Sequence, residues 1–98
     1  MSVRVEFRRA ATDDIEDAVD WYEGQKSGLG LEFLHEVHAA LQRLLERPEL
    51  YSPLHRDVRH CATRRFPFNI YFRLRAETIV VVAVFHARRD PRKWRGRA

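Results

Sequence analysis

The chain is 98 residues long with a single Cys, two Trp and six Phe, and 45% of it is hydrophobic. That length makes one domain with one modest core, too small for a multi-domain enzyme or a barrel, and a lone Cys excludes a disulfide framework. Net charge is +4, and the charge is divided: residues 1–55 carry 6 Lys/Arg against 11 Asp/Glu (net −5), residues 56–98 carry 12 against 3 (net +9). Sixteen of the 18 cations are Arg. A codon bias explains Arg over Lys but not the split between halves. The basic half points to an anionic contact: nucleic acid, an acidic partner or a membrane surface.

Val3, Val5 and Phe7 alternate with Arg4, Glu6 and Arg8, the period of a half-buried strand and not of a signal peptide. Asp13, with Glu16 three residues on, predicts a helix cap, and Ile15, Ala18, Val19 and Tyr22 form one helical stripe. Asp14, Asp17 and Asp20 fall on the other faces of that helix. Trp21 and Tyr22 are expected to pack in the core. Gly24, Gly28 and Gly30 mark a turn, and a second helix is expected from near Gly30 to Glu46, ended by Pro48. Leu34, Val37, Leu41, Leu44 and Leu45 make its stripe. The two helices predict an antiparallel hairpin. Gly28-x-Gly30 lacks the third Gly and the preceding strand of a phosphate loop.

Residues 48–57 hold two Pro and no period and read as a loop. Val58–Arg64 is a weak strand. Phe68–Leu74 is a stronger one, with Phe68, Ile70, Phe72 and Leu74 on one face and Asn69, Tyr71 and Arg73 on the other, open to solvent or a partner. After a turn at 75–78, Ile79–Phe85 is continuously apolar, which suits a central strand and is far too short to span a bilayer. His86–Ala98 reads as an Arg-rich tail, poorly ordered past Trp94. The class is therefore α+β, in the order β-α-α-β-β-β: one domain over 1–98, a helical hairpin on one face of a mostly antiparallel sheet of about four strands, and a basic tail. A cytoplasmic protein without membrane contact is expected. His35 and His38 lie three apart, and His55, His60, Cys61 and His86 offer no metal spacing, so neither metal nor cofactor is expected.

Several segments together resemble the RelE/ParE-type toxins of bacterial type II toxin–antitoxin systems. They are Trp21-Tyr22-Glu23, Gly28-Leu29-Gly30, Pro48-Glu49-Leu50-Tyr51, Arg65-Phe66-Pro67-Phe68 and His86-Ala87-Arg88-Arg89-Asp90-Pro91 with Trp94. The resemblance runs from residue 3 to about 95 and implies the same element order. It implies one of two activities. The RelE branch cleaves messenger RNA in the ribosomal A site, and the ParE branch inhibits DNA gyrase without being a nuclease. In both, a small antitoxin wraps and neutralises the toxin, and operator DNA is reached only through the antitoxin.

RNA cleavage without a metal needs a base, a cation for the phosphate and an acid. An ungapped match places the nuclease positions of RelE-like members on His60, Ala62, Asn69, Arg88 and Trp94, and only Arg88 is retained. The resemblance thus favours the ParE branch, which needs a shaped basic surface. The nuclease alternative takes His60, Arg65, His86 and Arg88 as candidate catalytic residues. It would place Arg59, Arg65, Arg73, His86, Arg88 and Arg89 at one sheet edge, with a His other than His60 doing the acid–base work. A third reading is a non-toxic binding module that kept the fold. For antitoxin or target contact the candidates are Arg59, Arg65, Arg73, Arg88, Arg89 and Trp94, since the planar guanidinium fork grips carboxylate or phosphate. The antitoxin is expected across the hairpin and sheet edge, its acids against the basic strand end. His86 is expected to be a structural hydrogen-bonder.

Overall fold

A computed structural model describes residues 3–97. Strand β1 (Arg4–Phe7) leads into helices α1 (Arg9–Gln25) and α2 (Leu29–Glu46). A 3-10 turn (Pro48–Leu50) precedes β2 (Pro53–His55), β3 (Val58–Ala62), β4 (Phe68–Arg75) and β5 (Thr78–His86), and a short helix α3 (Pro91–Arg95) ends the chain. The class is α+β as the sequence implies, with five strands instead of four in the order β1-β5-β4-β3-β2. Strand β1 runs parallel to β5, and the other neighbours are antiparallel. The extra strand is β2, inside the stretch that reads as a loop. It is three residues long and pairs with β3 irregularly, so it leaves no period to see. No helix of the described residues is long and apolar enough to cross a membrane.

Helix α1 begins one turn before the expected Asp13 cap. Arg8 stays extended because its N–H donates to Val81 O (2.9 Å), and its own carbonyl accepts from Ala11 and Thr12 N–H. Strand pairing, not a side-chain cap, sets the start. The shift turns Asp14 inward, contrary to its expected outer face. Its carboxylate accepts from Val84 N–H (3.0 Å) and pairs with the Arg97 guanidinium (2.6 and 3.2 Å).

The α1–α2 turn gives Glu23, Gly28 and Gly30 a structural role. The Glu23 carboxylate accepts from the N–H groups of Gly28 (3.0 Å) and Gly30 (3.0 Å), supplying the acceptors that the start of α2 lacks. Gly28 has φ +90, and a Cβ on Gly30 would meet Val19 O at 2.8 Å. The buried stripe of α2 is Gly30, Phe33, Val37, Ala40 and Leu44. Leu34 lies one position out of that phase and is 41% exposed, a correction to the expected stripe.

The main core lies between the hairpin and the sheet, built from Phe33, Val37, Leu44, Ile70, Phe72, Ile79, Val81 and Val84. Tyr22 and Phe66 close it by ring contacts with Phe33 at 5.3 and 5.4 Å. A bulge in β5 opposite Tyr71/Phe72 makes Val82 an extra residue, so Val82 and Ala83 both face the second side of the sheet. That side is not open. Trp94 is 4% exposed and stacks on Tyr71 at 4.6 Å, over Val58, Val80 and Phe85. The tail is ordered for the same reason. Asp90 caps α3 by accepting from Arg92 N–H (2.9 Å), Pro91 starts it, and Arg97 is held by Asp14. Ala98 lies outside the described residues.

Two stability outcomes follow. Gly30→Ala forces α1 and α2 apart and is expected to cost about 1–3 kcal/mol in urea unfolding. Arg97→Ala strands a buried carboxylate. Since Arg97 itself is partly exposed, the expected loss is about 2 kcal/mol, below the full penalty for breaking a buried pair. Restoring the cation with Arg97→Lys should recover part of it.

Candidate functional site

The candidate residues do not gather in one place. Strand register and turns bring one group together: the β3–β4 loop carries Arg64 and Arg65, and the turn after β5 carries Arg88 and Arg89. The two segments are joined by Ala87 N–H donating to Pro67 O (2.7 Å). The loop is closed by Thr63, whose N–H donates to Phe68 O (2.9 Å) and whose hydroxyl donates to Phe66 O. Arg65 pairs with Glu32 and its N–H donates to Glu36 (3.0 Å), so α2 holds the loop. The Arg89 guanidinium lies 4.0 Å over the Phe85 ring. Arg64 and Arg88 are exposed and make no ion pair among the described residues. Arg64 was not singled out by sequence reasoning; its only signal was adjacency to Arg65.

The remaining candidates lie elsewhere. Arg73 is at the opposite end of the sheet, bonded to Asp57 (3.1 Å), which also pairs with Arg75 (3.1 Å). Arg59 donates to Tyr51 O (2.8 Å), and its Nε is buried without a partner among the described residues. Trp94 is a buried ring of the second face. His60 and His86, the two bases of the nuclease alternative, occupy opposite faces of the sheet. His60 sits opposite Tyr71 and is stacked on it at 6.0 Å. His86 sits opposite Phe68 on the hairpin side, 5.5 Å ring to ring, and its Nδ1 accepts from Arg88 N–H (3.1 Å). A base and an acid that must act on one phosphodiester are therefore separated by the sheet.

The hairpin carries a second feature. Trp21, expected in the core, is 61% exposed, because it lies about a quarter turn from Tyr22 and so misses the sheet. On the outer side, Ile15 and Val19 of α1 and Leu34 of α2 line a shallow apolar groove rimmed by Glu16 and Asp20. No sequence signal marks it, because Leu34 reads as a member of the apolar stripe with Val37, Leu41 and Leu44.

A family model described as the ParE toxin of the type II toxin–antitoxin system parDE matches residues 5–91. The chain belongs to the ParE toxin family. Two solved structures have the same fold. One is the chromosomal ParDE system of P. aeruginosa, with TM-score 0.76 and 17% identity, covering 86% of this chain and 95% of that one. The other is the RelBE2 toxin–antitoxin complex of Mycobacterium tuberculosis, with TM-score 0.58 and 20% identity, covering 88% and 99%. At these identities the likeness is one of fold. No curated protein matches the chain. In this ParE-family chain the segments that carry the resemblance have structural work: Tyr22 and Phe66 fill the core, Glu23 and the glycines build the helical turn, and Pro91 starts α3.

Burial lowers the pKa of His60 from the ordinary 6.5. The folded chain then holds His60 neutral where the unfolded chain protonates it. Stability should fall as pH drops through 6.5 toward the lowered value. Denaturant unfolding at pH 7.5 and 5.5 is expected to show a larger acid loss for the parent than for His60→Gln.

Proposed function

We propose that this ParE-family chain is a growth-inhibiting toxin that acts as one domain in the cytoplasm by binding DNA gyrase, not by cutting RNA. The observation that carries this reading is the placement of His60 and His86 on opposite faces, which leaves the basic end without an acid–base pair. What remains there is a fixed cluster of guanidinium groups on a rigid strand end, suited to gripping carboxylates or phosphates of a partner surface. The cognate antitoxin seats an apolar helix face in the groove of Ile15, Val19 and Leu34, and sends an acidic segment to Arg88 and Arg89. The fold likeness to chains from two toxin–antitoxin structures supports an antitoxin as the first partner. Operator DNA is reached through that antitoxin.

The purified chain is expected to inhibit gyrase supercoiling and to leave messenger RNA intact in a reconstituted translation system. A-site cleavage with unaffected gyrase would establish the RelE-like reading instead, and neither effect would mark a silent module. Arg88→Glu with Arg89→Glu, and separately Leu34→Glu, are each expected to weaken antitoxin binding about tenfold or more, as for anchoring side chains of an interface. Unchanged affinity in both would sink the assignment of these surfaces.

A further inference from the structure

Strand β1 is an edge of the sheet, and its sequence is complementary to itself. One side of β1 pairs with β5: Arg4 N–H donates to Glu77 O and Arg8 N–H to Val81 O, both at 2.9 Å. Main-chain groups alternate sides along a strand, so Val3, Val5 and Phe7 direct their N–H and C=O away from β5. The odd residues are apolar. Val5 packs against the core, while Val3 is 37% and Phe7 41% exposed. Arg4 and Glu6 share the opposite face, 3.4 Å apart and both more than half exposed.

We propose that β1 pairs antiparallel with β1 of a second copy, about a two-fold axis through Val5, joining two five-stranded sheets into one. In that register Val5 meets Val5 of the second copy as a hydrogen-bonded pair, as its outward main chain requires. Val3 meets Phe7 of the second copy, again through outward main chain. Arg4 meets Glu6 of the second copy, and Glu6 meets Arg4, in the close non-hydrogen-bonded positions where side chains interact most. The register is discriminated as well as favoured. A slip of two residues either way sets Arg4 against Arg4 or Glu6 against Glu6, and a parallel arrangement sets like charges side by side. Phe7 stands between two open clefts. One is lined by Glu6, Arg8 and Val80, the other by Arg9, Thr12, Asp13 and Glu16. The other edge does not compete: β2 is three residues long, begins with Pro53 and pairs irregularly.

The test is the oligomeric state of the full chain by sedimentation velocity across a wide concentration range. The parent should form a dimer whose population rises with concentration. Arg4→Glu alone, or Glu6→Arg alone, turns two attractive cross-strand pairs into repulsive ones and should raise the dissociation constant about tenfold or more. The combined exchange Arg4→Glu/Glu6→Arg rebuilds both pairs and should return the dimer. Mixing the two single variants should give a heterodimer, because each then supplies the opposite charge. Both positions are exposed, and far-UV circular dichroism checks that every variant keeps its fold. A parent that stays monomeric throughout overturns the proposal, as does a dimer indifferent to the single changes or one that the combined exchange fails to restore.

Discussion

The fold depends on how the edge of β5 is closed beyond the point where β1 leaves it. Strand β1 accompanies β5 only as far as Val81, where Arg8 makes the last main-chain bond and the chain turns into α1. Strand β5 continues to His86. Buried main-chain groups without partners are costly, so that edge needs an acceptor and a donor. Asp14 supplies the acceptor to Val84 N–H, and Arg97 the donor to Val82 O (3.2 Å). The two side chains also bind each other, so together they stand in for the missing stretch of strand. This interaction explains why α1 must begin at once after Arg8: only then does Asp14 face the sheet. It also explains why the last turn of the chain is ordered, since Arg97 reaches back across 83 residues to the first helix.

The same strand divides the interior. Without the bulge at Val82, strict alternation would put a residue of β5 on the wrong face beyond that point. With it, Val81 and Val84 serve the hairpin side while Val82, Ala83 and Phe85 serve the other. A chain of this size gains by using both faces of its sheet, because one modest core leaves little margin. The second face needs a cover, and the C-terminal segment provides it through the stacking of Trp94 on Tyr71. The Asp14–Arg97 pair and the Trp94 stack thus hold one segment from two sides.

Element order was legible because periods of two and of 3.6 residues are local properties, and so was the turn at Gly28–Gly30. What escaped was set by contacts distant in sequence. Asp13 and Glu16 look like a capping box, yet the bond from Arg8 to Val81 fixes the helix start, and no pattern near residue 8 reports it. Asp14 looks like any acid on an acidic helix because its partners lie at 84 and 97. The two tryptophans exchange their expected places: Trp21 is out and Trp94 is in, since no local pattern shows that the second face is covered. Of the site, the basic half was visible in the charge count. Its concentration at one sheet end was not, because register alone separates Arg88 and Arg89 from Arg73, and Asp57 neutralises Arg73 from 16 residues away.

Charge placement constrains how a partner can approach. Several cations are already matched: Arg73 and Arg75 by Asp57, Arg92 by Asp90, Arg97 by Asp14. The Arg92 guanidinium holds the Asp90 carboxyl below its ordinary range, the mark of a pair formed locally. Among the described residues, Asp13, Glu16, Asp17 and Asp20 on α1 make no ion pair, nor do Arg64 and Arg88 at the sheet end. These α1 acids and the two arginines of the sheet end therefore sit on different parts of the surface. A segment crossing both would meet negative charge beside an apolar groove and positive charge at the sheet end. Only one chain direction satisfies that sequence of fields, and the reversed direction sets like against like at both places. Polarity of this kind selects an orientation before any close contact forms. The modest net charge of the chain conceals it, because the sum adds together opposite charges that lie apart in space.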